Sequence, residues 1–150
     1  MRSVIVLGMM AVLCVSLGAC SGGDLKALPL NGRTGVLEGF GSPVAVALDG
    51  HGVLYVAEAA SGQVVCVFAD GQRIPQHVGL PQASGLVVDR LGRVYLSDEA
   101  SGQVLRLELD GTRNVLASGL AGPAGLVLDR DGGLYVACRG DGTVRRVVAN

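Results

Sequence analysis

Three copies of one short element constrain this chain more than anything else in it. Asp49-Gly50-His51-Gly52-Val53-Leu54-Tyr55-Val56 stands forty residues before Asp89-Arg90-Leu91-Gly92-Arg93-Val94-Tyr95-Leu96. A further forty residues on stands Asp129-Arg130-Asp131-Gly132-Gly133-Leu134-Tyr135-Val136. Asp, Gly and Tyr keep their spacing without a gap. Composition alone does not produce such regularity, so the chain reads as a repeat protein.

Residues 41–80, 81–120 and 121–150 align without gaps. Each opens on a small-residue loop: Gly41-Ser42-Pro43, Pro81-Gln82-Ala83 and Ala121-Gly122-Pro123. A short apolar run follows, as in Val44-Ala45-Val46-Ala47-Leu48. Bounded by turn residues, these runs read as strands buried on both faces. Asp and Gly then close a tight turn, the Asp side chain bonding the turn backbone and Gly accepting positive φ. The second strand carries the Tyr, which recurs because each copy needs similar packing. A polar loop ends at Gly62, Gly102 or Gly142, and the third strand begins at Val64, Val104 or Val144. A fourth follows Asp70-Gly71 and Asp110-Gly111 and runs to Gly79-Leu80 and Gly119-Leu120. No segment holds a helical period. Four short strands in forty residues make one blade of a β-propeller. The expected fold is all-β, with three blades per chain: half of a six-bladed ring, or a partial propeller.

The two ends of the alignment complement each other. The third repeat stops at Asn150, which aligns with Asp70 and Asp110, so it lacks a fourth strand. At the other end Arg33 aligns with Arg73 and Arg113, Gly39 with Gly79 and Gly119, and Phe40 with Leu80 and Leu120. Residues 31–40 are therefore expected to form a lone outer strand, and the chain to be complete. Propellers have about four to eight blades. A second copy is thus the expected partner, packed head to tail as a homodimer that closes a six-bladed ring. Each 31–40 strand would complete the partner's last blade and protect its edge.

Residues 1–19 carry a targeting signal: Arg2, then an apolar run from Val4 to Leu17, too short to span a bilayer comfortably. The run ends in Leu17-Gly18-Ala19-Cys20, which resembles the bacterial lipoprotein box. That resemblance implies lipidation of Cys20 and a membrane anchor through it, in a bacterial cell envelope. Ser21 in place of Asp favours the outer membrane in a Gram-negative source; otherwise the anchor is the extracytoplasmic face of the plasma membrane. Residues 20–30 hold the lipidated Cys and a short tether, whose ten flexible residues reach roughly 15–20 Å.

Composition narrows the function. A net charge of −1 and 3% aromatics leave no basic, stacking surface for nucleic acid. Two Cys remain in the repeats, Cys66 and Cys138, at non-equivalent positions. They read as small buried residues rather than a disulfide pair, and two Cys alone are not a zinc site. His51 in a turn and His77 on an outer strand read as solvated. Asp129-Arg130-Asp131-Gly132 lacks the further carboxylates of a calcium loop and reads as a turn cap.

The pattern Pro-x-Gly-Leu-x-x-Asp-x-x-Gly-x-Leu-Tyr-Val, best seen from Ala83 to Arg106 and from Pro123 to Arg146, resembles the NHL-repeat family. It is also similar to the gluconolactonase-like (senescence-marker-like) propellers. Resemblance to those enzymes implies a divalent metal held by three ligand types. Their positions fall here on Gly41, Pro81 and Ala121; on Val44, Ser84 and Ala124; and on Glu58, Asp98 and Cys138. Only Glu58 and Asp98 suit, so the balance is against an enzyme and no cofactor is expected. Streptogramin-lyase-like propellers use His and Glu near a metal, which His51 and His77 are poorly placed to supply.

The loops between second and third strands carry the best candidates for ligand contacts: Glu58, Asp98, Glu99 and Arg139. Loops on a rigid scaffold are where function concentrates. The expected function is a lipid-anchored envelope propeller that binds a protein, peptide or glycan. The alternative is a metal-dependent lactonase, hydrolase or lyase. Metabolic labelling with an alkyne fatty acid should mark the bacterially expressed full chain, and Cys20→Ser should abolish the label. Persistent label in that variant would place the anchor elsewhere.

Overall fold

A computed structural model describes residues 37–77, 79 and 82–148. The expected signal, Cys20 and tether, most of the lone outer strand and the Asn150 end lie outside these residues. Eleven strands and no helix make up the described part. β1 (Pro43–Leu48), β2 (Leu54–Glu58), β3 (Gln63–Val67) and β4 (Arg73–His77) form one antiparallel sheet in sequence order. β5 (Ala83–Val88), β6 (Val94–Asp98), β7 (Gln103–Leu107) and β8 (Arg113–Ala117) form the second. β9 (Pro123–Leu128), β10 (Gly133–Cys138) and β11 (Thr143–Val148) form a third sheet, of three strands. The first strands stand side by side, β1 against β5 and β5 against β9. The sheets therefore fan out as blades from a common inner wall, which is a β-propeller arrangement.

The repeated element is a hairpin held by its own Asp. Asp49 Oδ1 accepts the His51 and Val53 N–H groups at 2.8 and 2.9 Å. Asp89 does the same for Leu91 and Arg93 at 2.8 and 2.9 Å, and Asp129 for Asp131 and Gly133 at 2.8 and 2.7 Å. Gly52, Gly92 and Gly132 sit at φ of 82°, 75° and 83°, where a side chain is strained. The Tyr adds a bond that its packing role had not implied. Tyr95 Oη donates to Asp89 Oδ2 at 3.2 Å, and Tyr55 to Asp49 Oδ2 at 3.4 Å. One carboxylate thus serves the turn with one oxygen and the second strand with the other.

The core lies between blades, not within them. Tyr55, Ala57, Val64 and Cys66 from one sheet meet Leu86, Val94, Leu96, Leu105 and Leu107 from the next. Tyr95 and Val104 meet Leu134, Val136 and Cys138 across the second junction. Period-two alternation gives each blade two faces: a leading one toward the preceding blade and a trailing one toward the next. Cys66 and Cys138 are both buried, in keeping with the small-residue reading.

Two details differ from expectation. β1 and β9 are not buried on both faces; Val46, Leu48 and Val127 are exposed. β4 and β8 end at His77 and Ala117, short of Gly79 and Gly119. Those glycines adopt φ of 66° and 68°, which ends the strand and turns the chain toward the next blade.

The second junction is closed partly by polar groups. Ser84 Oγ donates to Pro123 O at 2.7 Å, and Ser97 Oγ to Ala124 O at 2.5 Å. These bonds draw the β9 backbone so close that a Cβ on Gly85 would lie 2.1 Å from Ala124 O. Gly85→Ala should therefore cost about 1–3 kcal/mol, the usual range for forced overpacking. Urea unfolding of the variant checks this, and an unchanged midpoint would contradict the close approach.

Candidate functional site

The loops entering each blade and the loops joining second to third strands share one edge. Backbone bonds tie them together. Ala59 N donates to Ser42 O at 3.0 Å and Ala60 N to Gly41 O at 3.2 Å. Arg139 N donates to Gly122 O and Gly140 N to Ala121 O, each at 2.9 Å. Leu120 N reaches back to Gly102 O, at 3.0 Å, in the middle blade. The result is a fixed rim on which all four candidate contact residues stand.

The four do not behave alike. Glu58 Oε1 accepts Gly41 N at 2.9 Å and Oε2 accepts Ser61 Oγ at 2.7 Å. Asp98 is 2% exposed. Its Oδ1 accepts Ala100 N at 3.0 Å, and its Oδ2 accepts Ser101 Oγ at 2.5 Å. Both carboxylates are turned inward and hold the loops that follow them. In the third blade Cys138 takes their place and is buried. Glu99 and Arg139 instead face solvent and form an ion pair across the junction of the second and third blades. The Arg139 hydrogen bond holds the Glu99 carboxyl below its ordinary range, and Glu99 raises Arg139 in turn. Neither shift is a stability term of note, since both groups are solvated.

His51 is exposed in the β1–β2 turn at the opposite edge, and His77 ends β4. Among the described residues no three His, Cys, Asp or Glu side chains gather as a metal cage.

A feature that the sequence reading passed over lies at that opposite edge. A cleft of about 370 Å³ separates the β5–β6 and β9–β10 turns, lined by Asp89, Arg90, Arg93, Tyr95, Asp129 and Arg130 among others. Arg93 Nε is 2.6 Å from Asp89 Oδ2, so the carboxylate that caps the turn is also ion-paired. The available signal was the recurrence of Arg at the position after the repeat Asp in two of three copies, Arg90 and Arg130.

Burial, reinforced by the nearby Asp89 charge, pushes the Tyr95 hydroxyl above its ordinary value of 10.0. The folded state therefore keeps this proton to higher pH than the unfolded chain does. The stabilisation is full below the ordinary value and is lost as pH rises through the folded one. Tyr95→Phe should cost about 1.5 kcal/mol at neutral pH, where a hydrogen bond to a carboxylate is lost. It should also flatten the fall in stability above roughly pH 10. Urea unfolding from pH 8 to 11 measures both, and an unaltered alkaline slope would contradict the assignment.

No protein-family profile and no curated protein sequence matches the chain. Solved structures do. A chain of a nidogen/laminin complex superposes with a TM-score of 0.65 at 23% identity, over 76% of this chain and 47% of that one. Virginiamycin B lyase from Staphylococcus aureus gives 0.57 at 16% identity, over 71% and 41%. A gluconolactonase from Xanthomonas campestris gives 0.60 at 19% identity, over 69% and 37%. These neighbours are propeller proteins, and at such identities the likeness concerns the fold alone. The chain spans less than half the length of each.

Proposed function

We propose that this β-propeller chain is a binding module of a bacterial cell envelope, anchored through lipid on Cys20, whose rim engages a protein, peptide or glycan. The observation that carries the reading is how the rim spends its acids. Glu58 and Asp98 give their oxygens to Gly41, Ser61, Ala100 and Ser101. A carboxylate so occupied is a structural cap and a poor metal ligand or general base, both of which need a free lone pair aimed at the reacting group. Glu99 and Arg139 remain exposed, opposite in charge and adjacent. Such a pair offers one acceptor and one forked donor to a polar ligand, as a peptide backbone or a glycan carboxylate and hydroxyl require. The rigid loop backbone beneath them lowers the ordering cost of binding.

The rival is metal-dependent hydrolysis or lyase chemistry, and the same residues separate the two. The full chain should retain a ligand on glycan or peptide arrays. Glu99→Ala with Arg139→Ala should weaken the best binder at least about tenfold, corresponding to about 1.4 kcal/mol. Purified chain that opens a lactone only with added divalent metal, and loses this on Glu58→Ala with Asp98→Ala, would replace the binding reading with the enzymatic one.

A further inference from the structure

The cleft between the β5–β6 and β9–β10 turns lies at the edge opposite the rim, and its charges balance differently. Its acids are already engaged. Asp89 Oδ1 accepts the Leu91 and Arg93 N–H groups, and Oδ2 accepts Arg93 Nε at 2.6 Å and Tyr95 Oη at 3.2 Å. Asp129 Oδ1 accepts the Asp131 and Gly133 N–H groups, and Arg146 Nη2 stands 3.9 Å from Oδ2. Gly133 makes room for that approach, since a Cβ there would press on Asp129 Oδ2 and lie 2.8 Å from Arg146 Nε. Each carboxylate thus has a guanidinium of its own, Arg93 for Asp89 and Arg146 for Asp129. Asp131, the one further acid of these two turns, does not line the cleft.

Two cations are left over. Arg90 and Arg130 line the cleft from its two turns and are exposed. Neither forms a hydrogen bond or an ion pair among the described residues. This surplus belongs to one junction. The residue after the repeat Asp is Gly50 in the first blade and Arg in the second and third. The first junction therefore sets a glycine beside Arg90, and the second sets Arg90 beside Arg130. Leu91 and Val127, 68% and 60% exposed, add apolar wall next to these guanidiniums. The volume of about 370 Å³ falls within the range of small-molecule sites.

We infer that this cleft is a second binding site, for an organic phosphate monoester whose phosphate lies between Arg90 and Arg130 and whose apolar body rests on Leu91 and Val127. A guanidinium is a planar fork of donors that matches phosphate oxygens two at a time. A phosphate monoester carries about −1.5 to −2 at neutral pH, which balances two unpaired cations. A monocarboxylate would leave one guanidinium unmatched, and inorganic phosphate would leave the apolar wall in water. The same group reaches the cleft from two sources: a soluble phosphate ester, or the monoester headgroup of an anionic lipid. The site is independent of ligand binding at the rim, because it shares no residue with it.

Titration calorimetry of the full chain in mild non-ionic detergent, at about pH 8 where the ester is dianionic, tests this. Phenyl phosphate should bind with a Kd below about 1 mM, and inorganic phosphate more weakly. Arg90→Gln and Arg130→Gln should each weaken phenyl phosphate at least about tenfold and keep the urea midpoint, as neither side chain holds the fold. Arg145→Gln removes the same charge from β11, where Arg145 pairs with Asp141, and should leave binding intact. Dihexanoyl phosphatidic acid separates the sources. Tighter binding than phenyl phosphate, lost on Arg130→Gln, assigns the site to a lipid headgroup; weaker binding assigns it to a soluble ester. The inference is overturned if phenyl phosphate gives no saturable heat, or if both cleft variants bind it like wild type. Equal weakening by Arg145→Gln also overturns it, since net charge would then explain the binding. So does inorganic phosphate binding as tightly as phenyl phosphate.

Discussion

A blade of four short strands has two faces and can cover neither by itself. That constraint governs this molecule. Each sheet is thin, its strands five or six residues long, and its alternation sends apolar side chains to both sides. Stability must come from neighbours, as in any repeat array. The hydrophobic clusters accordingly sit at the junctions, with Leu96 and Val136 fully buried between sheets. Burial of a single such side chain contributes roughly 1.5–3 kcal/mol, so each junction outweighs any one surface contact.

The repeated Asp, Gly and Tyr make this stacking possible by standardising the blade. Fixed hairpins give each first and second strand the same register, from Ala47↔Tyr55 to Val127↔Tyr135. Equal registers present equal faces, and equal faces let one junction be copied by the next. Variation enters where the junctions differ. Ala45 and Ala57 stand in the first blade where Gly85 and Ser97 stand in the second. The serines draw the third blade in through carbonyl contacts, and the glycine gives it room.

The rim follows the same economy. Acids that the spacing marks as the best candidates for ligands, Glu58 and Asp98, are recruited to hold the loops. Exposed charge is left to Glu99 and Arg139, which are not repeat counterparts of either. The strand order and the turns were legible because each rests on chemistry within a few residues: an Asp cap, a glycine with positive φ, a period of two. The Tyr hydroxyl bond was legible in principle, since donor and acceptor are six residues apart. It was missed because a recurring aromatic reads first as packing.

By itself, then, the sequence determined the blade: its length, its four-strand plan and its hairpins, all set by local backbone preferences. Only the tertiary structure decided what each blade does with its surfaces. Glu58 is a cap because Gly41, seventeen residues earlier, returns to it. Gly85 is indispensable because a carbonyl thirty-nine residues later, at Ala124, presses on it. Val64 and Val144 look alike in the alignment, yet one is core and the other open surface. Burial is a property of which sheet comes next, and no single repeat contains that information.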